Sequence, residues 1–251
     1  MSANPFEFGF VAALEREVSG VVRGWSSGKV ESDGAAFTIY RGPNAALVCA
    51  GTGVEQAYKA AKVLIEKFSP RMIISIGFAG SCVEALPPGS MVVPASVFEP
   101  ATGRTFRCKL GCGQLVTLDR VAGKALKQET FKRFGAIAID MEAVGGAAAA
   151  SEFNKEFLAI KVISDGAEDD LGFLSDFVKA EGFETGRFIA HIALRPALWP
   201  SVAALNRNSK LAISALESAV GECVSDWQSF SVKHSDAIHE SDGKRVVEKW
   251  Q

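Results

Sequence analysis

No apolar run in this chain approaches the ~18 uncharged residues that a membrane-spanning helix requires. The longest candidates, Met72 to Ala79 and Ala143 to Ala150, are about half that length, so no membrane span is expected. No secretory signal is expected either. The opening MSANPFEFGF has no basic region leading into an apolar stretch and passes straight into a strand-like segment, which points to a cytoplasmic protein. Lysine and arginine are scattered and the formal net charge is -2, so there is no clustered basic face for nucleic acid. Cysteine is present five times, an odd count that suits reduced thiols better than a disulfide framework. Cys108 and Cys112 stand as C-x3-C without the second pair of Cys or His that zinc wants, so no metal and no cofactor are expected. Internal repeats, low-complexity tracts and linkers are absent. One domain over residues 1–225 is expected, followed by a polar, mixed tail over 226–251 that reads as disordered.

The hydrophobic pattern alternates between two periods. Phe6 to Leu14, Ala36 to Tyr40, Ala45 to Cys49, Met72 to Ile76, Met91 to Val97, Ala136 to Met141 and Phe157 to Ser164 read as strands. MIISI and FLAIKVIS are near-continuous apolar runs, the signature of strands buried on both faces of a parallel sheet. Between them, Val54 to Phe68 carries apolar residues at helical spacing, Val121 to Phe134 reads as helix, and Glu142 to Phe153 is an alanine-rich helix suited to close packing. Glu99 to Gly113 reads as hairpin or loop. Phe173 to Ala193 reads as helix with a break at Gly182, and Val202 to Val220 as a last amphipathic helix. Strands alternating with helices imply an α/β fold: three α/β/α layers around a central mixed, mostly parallel sheet.

Ligands of open α/β sheets bind beyond the carboxyl ends of the strands. Three such ends carry acids here: Glu15-Arg16-Glu17, Asp140-Met141-Glu142 and Ser164-Asp165-Gly166. Each alone is an ordinary helix cap or a first-turn acid that suits the helix dipole. All three together, with glycine turns at Gly51-Thr52-Gly53 and Gly77 to Gly80, point to a site. A dinucleotide fingerprint does not fit, because Gly51-Thr52-Gly53 is followed by Gln56 where glycine is needed and comes after a later strand.

These segments resemble a known family. FGFVAALEREV and VCAGTGVEQAYKAAKVLIEKFSPRMIISIGFAGS are similar to the opening of methylthioadenosine/adenosylhomocysteine nucleosidases. AIDMEAVGGAAAA and KVISDGA resemble the Met-Glu and Ser-Asp motifs of the wider nucleoside phosphorylase superfamily. The resemblance implies cleavage of the bond between a purine, of adenine type, and its ribose. It implies that Glu142 bonds the ribose hydroxyls, Met141 packs on the sugar, and Asp165, beside Ser164, protonates the base at N7. Glu17 would orient or deprotonate the attacking water, and Gly77 and Ala79 would form a turn lining the ribose. Phe78 stands where the nucleosidases have a small hydroxyl residue, and the region before Val121 lacks their base-stacking phenylalanine. A homo-oligomer, a dimer first, is also implied.

VAGKALKQETFKRFGAIAIDMEA and GRFIAHIALRPALWPSVAALNRNSKLAISAL look like the phosphorylases associated with hopanoid biosynthesis, whose substrates carry a large apolar 5′ substituent. That likeness would suit an aromatic entrance using Phe173, Phe177 or Phe183, which otherwise read as ordinary helix-face core residues. It also tips the expectation slightly toward phosphorolysis, with inorganic phosphate as co-substrate near Arg16, Gly51 and Gly53. Glu17 argues for water instead, because a carboxylate repels phosphate. A non-catalytic nucleoside-binding protein on the same fold is the alternative of another class.

Overall fold

The computed structural model describes residues 6–32, 34–179, 182–183, 195 and 199–235. In chain order it runs β1 (Phe8–Ala12), α1 (Glu15–Val18), β2 (Ser26–Ser32), β3 (Ala35–Arg41), β4 (Ala45–Cys49), α2 (Val54–Phe68), β5 (Met72–Ser81), β6 (Met91–Val92), β7 (Ser96–Glu99), β8 (Arg104–Arg107) and β9 (Gln114–Thr117). It continues with α3 (Lys124–Phe134), β10 (Ala136–Asp140), α4 (Ala143–Glu152), β11 (Glu156–Asp165), a 3-10 turn (Gly172–Phe177), β12 (Val178–Lys179), β13 (Gly182–Phe183), α5 (Trp199–Ser225) and α6 (Trp227–Ser235).

The architecture is the three-layer α/β/α arrangement that the alternation implied. At its centre β4, β1, β5 and β11 lie parallel. β2 and β3 extend one side in antiparallel fashion, and β10, β9, β7 and β8 extend the other. Successive side chains of a strand point to opposite faces, and the apolar runs divide accordingly. Val11 and Ile73 pack with Ala57, Ala61 and Leu64 of α2 and Val144, Ala147 and Ala150 of α4. Phe8, Phe10, Ile74, Ile76 and Ile160 pack on the other face, against Ala212, Leu216 and Val220 of α5. Gly145 lets α2 and α4 meet, since a Cβ there would lie 2.1 Å from the Val54 carbonyl oxygen.

Several elements differ from the sequence reading. Gly77 and Gly80 do not form a turn: β5 runs through both to Ser81, paired with β11 along its length. Met91 to Val97 is divided into β6 and β7, on either side of Pro94. β2 and β9 are additional strands. The stretch read as helix from Phe173 begins as the 3-10 turn and a small β12–β13 hairpin, and positions 184–194 lie outside the described residues. The break at Gly182 falls in β13.

The tail after Asp226 opens as helix α6. Two aromatics explain its docking: Trp227 packs against Phe8 with ring centroids 5.5 Å apart, and Phe230 is fully buried. Positions 236–251 lie outside the described residues. No helix among the described residues is long and apolar enough to cross a membrane.

Truncating Phe230 to alanine removes a large buried ring, and such changes cost about 3–5 kcal/mol. Phe230→Ala is therefore expected to lower the urea midpoint markedly. A change within error would mean that α6 contributes nothing to the fold.

Candidate active site

The three acidic strand ends converge on one cavity of about 970 Å³. Glu17 and Arg16 reach it from the loop and short helix after β1, Asp140, Met141 and Glu142 from the end of β10, and Ser164 and Asp165 from the end of β11. Gly77, Phe78, Ala79 and Gly80 of β5 line its floor. The opposite wall is α5, with Val202, Leu205, Asn206 and Ile213.

Within β5 the two glycines have a steric function. Gly77 has φ +138°, a backbone conformation that favours glycine, and a Cβ there would lie 3.0 Å from Glu17 Oε2. A Cβ at Gly80 would lie 2.8 Å from Asp165 Oδ2. Across the strand pair Gly77 pairs with Lys161, and Gly80 with Asp165. A shift in register between Ile163 and Asp165 turns the end of β11 at Ser164.

Glu17 is buried, and its Oε2 has no hydrogen-bond partner among the described residues. Burial, reinforced by the charge of Glu142, pushes its pKa up to about 7, while Arg16 and Lys161 pull the other way. Glu142 accepts from the backbone N–H of Gly53 at 3.2 Å and of Met141 at 3.3 Å. Burial and then Asp140 raise its pKa to about 7, against the pull of Lys161 and those two amides. Glu142 stands at the N-cap position of α4 without a side-chain capping bond, and Asp140 supplies one, its Oδ2 accepting from Ala143 N at 2.8 Å. That oxygen also lies 2.9 Å from Lys161 Nζ, and Oδ1 accepts from Thr117 Oγ1 at 2.6 Å. Asp140 thus takes the bland structural task and leaves Glu142 free to face the cavity.

Asp165 accepts from Ser164 Oγ at 2.7 Å on Oδ1 and from Lys127 Nζ at 2.5 Å on Oδ2. Burial raises its pKa, and the Lys127 ammonium and the Ser164 hydroxyl partly oppose that. Lys127 and Lys161, both fully buried, are the charged residues that the sequence reading did not single out. Lys161 had a signal, a lone cation inside the apolar run FLAIKVIS. Lys127 had none, because its helix reads as an ordinary solvated one.

Gly51 and Gly53 do not offer free amides. Gly51 N donates to the Ala13 carbonyl at 2.9 Å, Gly53 N donates to Glu142, and neither lines the cavity, although Thr52 between them does. Arg16 is exposed at the rim. Phe173 is half-buried and Phe177 buried, and neither lines the cavity. The side chain of Phe183 lies outside the described residues.

A model of the phosphorylase superfamily matches residues 7–111 and 100–193. The chain belongs to that superfamily. Among curated proteins it is 27% identical over 202 residues to a 5′-methylthioadenosine/S-adenosylhomocysteine nucleosidase of Buchnera aphidicola, covering 65% of this chain and 79% of that one. It is 26% identical over 195 residues to the nucleosidase of the same name from Staphylococcus haemolyticus, covering 62% and 85%. Among solved structures, the corresponding Neisseria meningitidis nucleosidase with methylthio-immucillin-A aligns at a TM-score of 0.64 and 18% identity, over 86% of this chain and 97% of that one. Helicobacter pylori futalosine hydrolase aligns at 0.63 and 16%, over 87% and 98%. At those identities the structures speak for the fold.

These relatives correct one expectation. The slight preference for a phosphorylase is overturned, because the superfamily members that the chain resembles are nucleosidases and hydrolases. The site gives a physical reason in the same direction: a buried carboxyl, Glu17, faces the cavity, and the amides assigned to phosphate are already bonded. The hopanoid-associated likeness finds no support among these relatives.

Burial of Glu17 makes a stability prediction. Its folded pKa of about 7 lies above the ordinary carboxyl value of 4.5, so the folded state binds the proton more tightly than the unfolded chain. Stability therefore falls as pH rises from about 4.5 to 7 and is then constant, by about 3 kcal/mol from this group. Glu17→Gln is expected to be little changed at pH 4.5 and more stable than wild type at pH 8. Urea titrations at the two pH values check this, and an equal shift at both would remove the assigned cause.

Proposed function

We propose that this protein hydrolyses the N-glycosidic bond of an adenine-type nucleoside. One observation carries the reading: Glu17, Glu142 and Asp165, far apart along the chain, line one cavity beyond the strand ends. A nucleobase anion is a poor leaving group, and ribosyl transfer passes through an oxocarbenium-like state. Catalysis then needs a proton delivered to the base and negative potential beneath the sugar, with carboxyls in opposite protonation states.

In this reading Asp165, oriented by Ser164, delivers the proton to the departing base. Glu142, fixed by two backbone amides, takes the ribose hydroxyls, with Met141 against the sugar. The unpartnered Oε2 of Glu17 faces the nucleophile and accepts a proton from the attacking water. A pKa of about 7 suits that exchange, since a base works best near the operating pH. Ala79 and the side-chain-free Gly77 leave room for the ribose, and Phe78 supplies apolar surface. The apolar stretch of wall from α5, including Val202 and Leu205, favours a substrate with an apolar 5′ substituent, as in methylthioadenosine. A non-catalytic binder would have no use for an unpartnered buried carboxyl, which costs stability.

Incubation with adenosine or methylthioadenosine is expected to release adenine and the free sugar at a rate independent of phosphate. Ribose 1-phosphate in the product would sink the hydrolytic reading. Asp165→Asn and Glu142→Gln are each expected to lower kcat by about 10² or more while the protein stays folded. Near-wild-type turnover in either variant would refute its role. A homodimer is part of the proposal, and a monomer by light scattering would contradict it.

A further inference from the structure

Lys127 projects from the first turn of α3, and no part of it reaches solvent. Its ammonium donates three hydrogen bonds: to Asp165 Oδ2 at 2.5 Å, to the Gly166 carbonyl at 2.7 Å and to the Asp169 carbonyl at 3.0 Å. All three protons are used. Burying an ammonium carries a desolvation cost of several kcal/mol even when it is paired, and filling space on this helix face would need only an apolar residue. The neighbouring strand is shaped around the pair. A Cβ at Gly80 would lie 2.8 Å from Asp165 Oδ2 and 3.2 Å from Lys127 Cε. Both side chains line the cavity.

The function proposed above asks Asp165 to give up a proton. Yet both of its oxygens already accept, one from an ammonium and one from the Ser164 hydroxyl. In that arrangement the proton of the pair resides on Lys127. Resting on that reading of the site, we propose that Lys127 is a positioning residue that supplies the proton for the leaving base through the Asp165 carboxyl.

Lys127 Nζ passes a proton to Asp165 Oδ2 and becomes a neutral amine. As the C–N bond breaks, its electron pair passes to the base, and N7 takes that proton from Asp165. The ribosyl cation is captured by water, whose proton goes to Glu17. After the products leave, solvent protons restore Lys127, and Glu17 gives up its own. Other polar and ionisable groups face the pair from each side. Asp169 opposes ionisation of Asp165, the buried Cys82 thiol directly follows β5, and the exposed Lys124–Glu168 ion pair and Asp170 flank the start of α3.

Two substrates and two variants test this. Adenosine needs a protonated leaving group, and 4-nitrophenyl β-D-riboside does not. Arginine keeps the positive charge but does not release its proton. Lys127→Arg is therefore expected to lose about 10²-fold in kcat on adenosine and to stay within about threefold of wild type on the nitrophenyl riboside. In Lys127→Met the acid is Asp165 alone. The alkaline limb of kcat on adenosine is expected to move down by about one pH unit or more, with rates approaching wild type below it.

Equal losses on both substrates in Lys127→Arg would overturn the proposal. So would a Lys127→Met profile that superimposes on wild type after scaling, the result expected of a purely structural lysine. If Lys127→Met does not fold, the Lys127→Arg comparison decides. Wild-type protein that cleaves no nucleoside would sink the function and this proposal with it. Wild-type activity with unaffected variants would sink only the assignment of Lys127.

Discussion

A lysine and an aspartate sealed from water, Lys161 and Asp140, anchor the functional end of the sheet. Such a pair is tolerable only when the remaining lone pairs and protons find partners. Asp140 finds them in the Thr117 hydroxyl and the Ala143 amide, so the ion pair also ties β10, β9 and the start of α4 to β11. Its charge asymmetry reaches the cavity. Lys161 favours the ionised forms of both Glu17 and Glu142, whereas Asp140 disfavours that of Glu142. Without a cation beneath them, two enclosed carboxyls would be driven still further toward neutrality. Burial raises both glutamates most, and the buried pair adjusts that rise.

The sheet distributes the carboxyls among different surroundings. Asp165 faces an ammonium, Glu142 two backbone amides, and Glu17 a glycine and its own unpartnered oxygen. Glycosidic cleavage calls for this kind of division of labour, with one group rich in protons and another able to accept one. Glycines 77 and 80 make the division physically possible by leaving the floor of the cavity without side chains where Glu17 and Asp165 lie.

The buried runs MIISI and FLAIKVIS and the alanine-rich segment after Glu142 made the layered fold legible, because periodicity reports burial directly. The three acidic strand ends were legible for the same reason: once the strands are placed, their ends are placed. β2 was not, since SSGKVES is largely exposed and has no apolar alternation. Gly77 and Gly80 read as a turn because glycine usually interrupts a strand. Here the neighbouring carboxyls leave no space for anything larger. Lys127 was invisible because a buried lysine and a surface lysine look alike in a helical sequence, and only tertiary contact distinguishes them. Helix α6 was hidden in a polar segment whose anchoring depends on Trp227 and Phe230.

The contact between α2 and α4 bears on how this site can diversify. Gly145 lets the helices approach closely, and Gly53 and Glu142, at their amino ends, are joined by a hydrogen bond. That side of the cavity is therefore tied to the contact between the two helices. The opposite wall belongs to one long helix whose cavity-facing residues, such as Val202, Asn206 and Ser209, take no part in that frame. Paralogues with new preferences at that wall can arise by exchanging those side chains, while the carboxyl cluster at the strand ends stays unchanged.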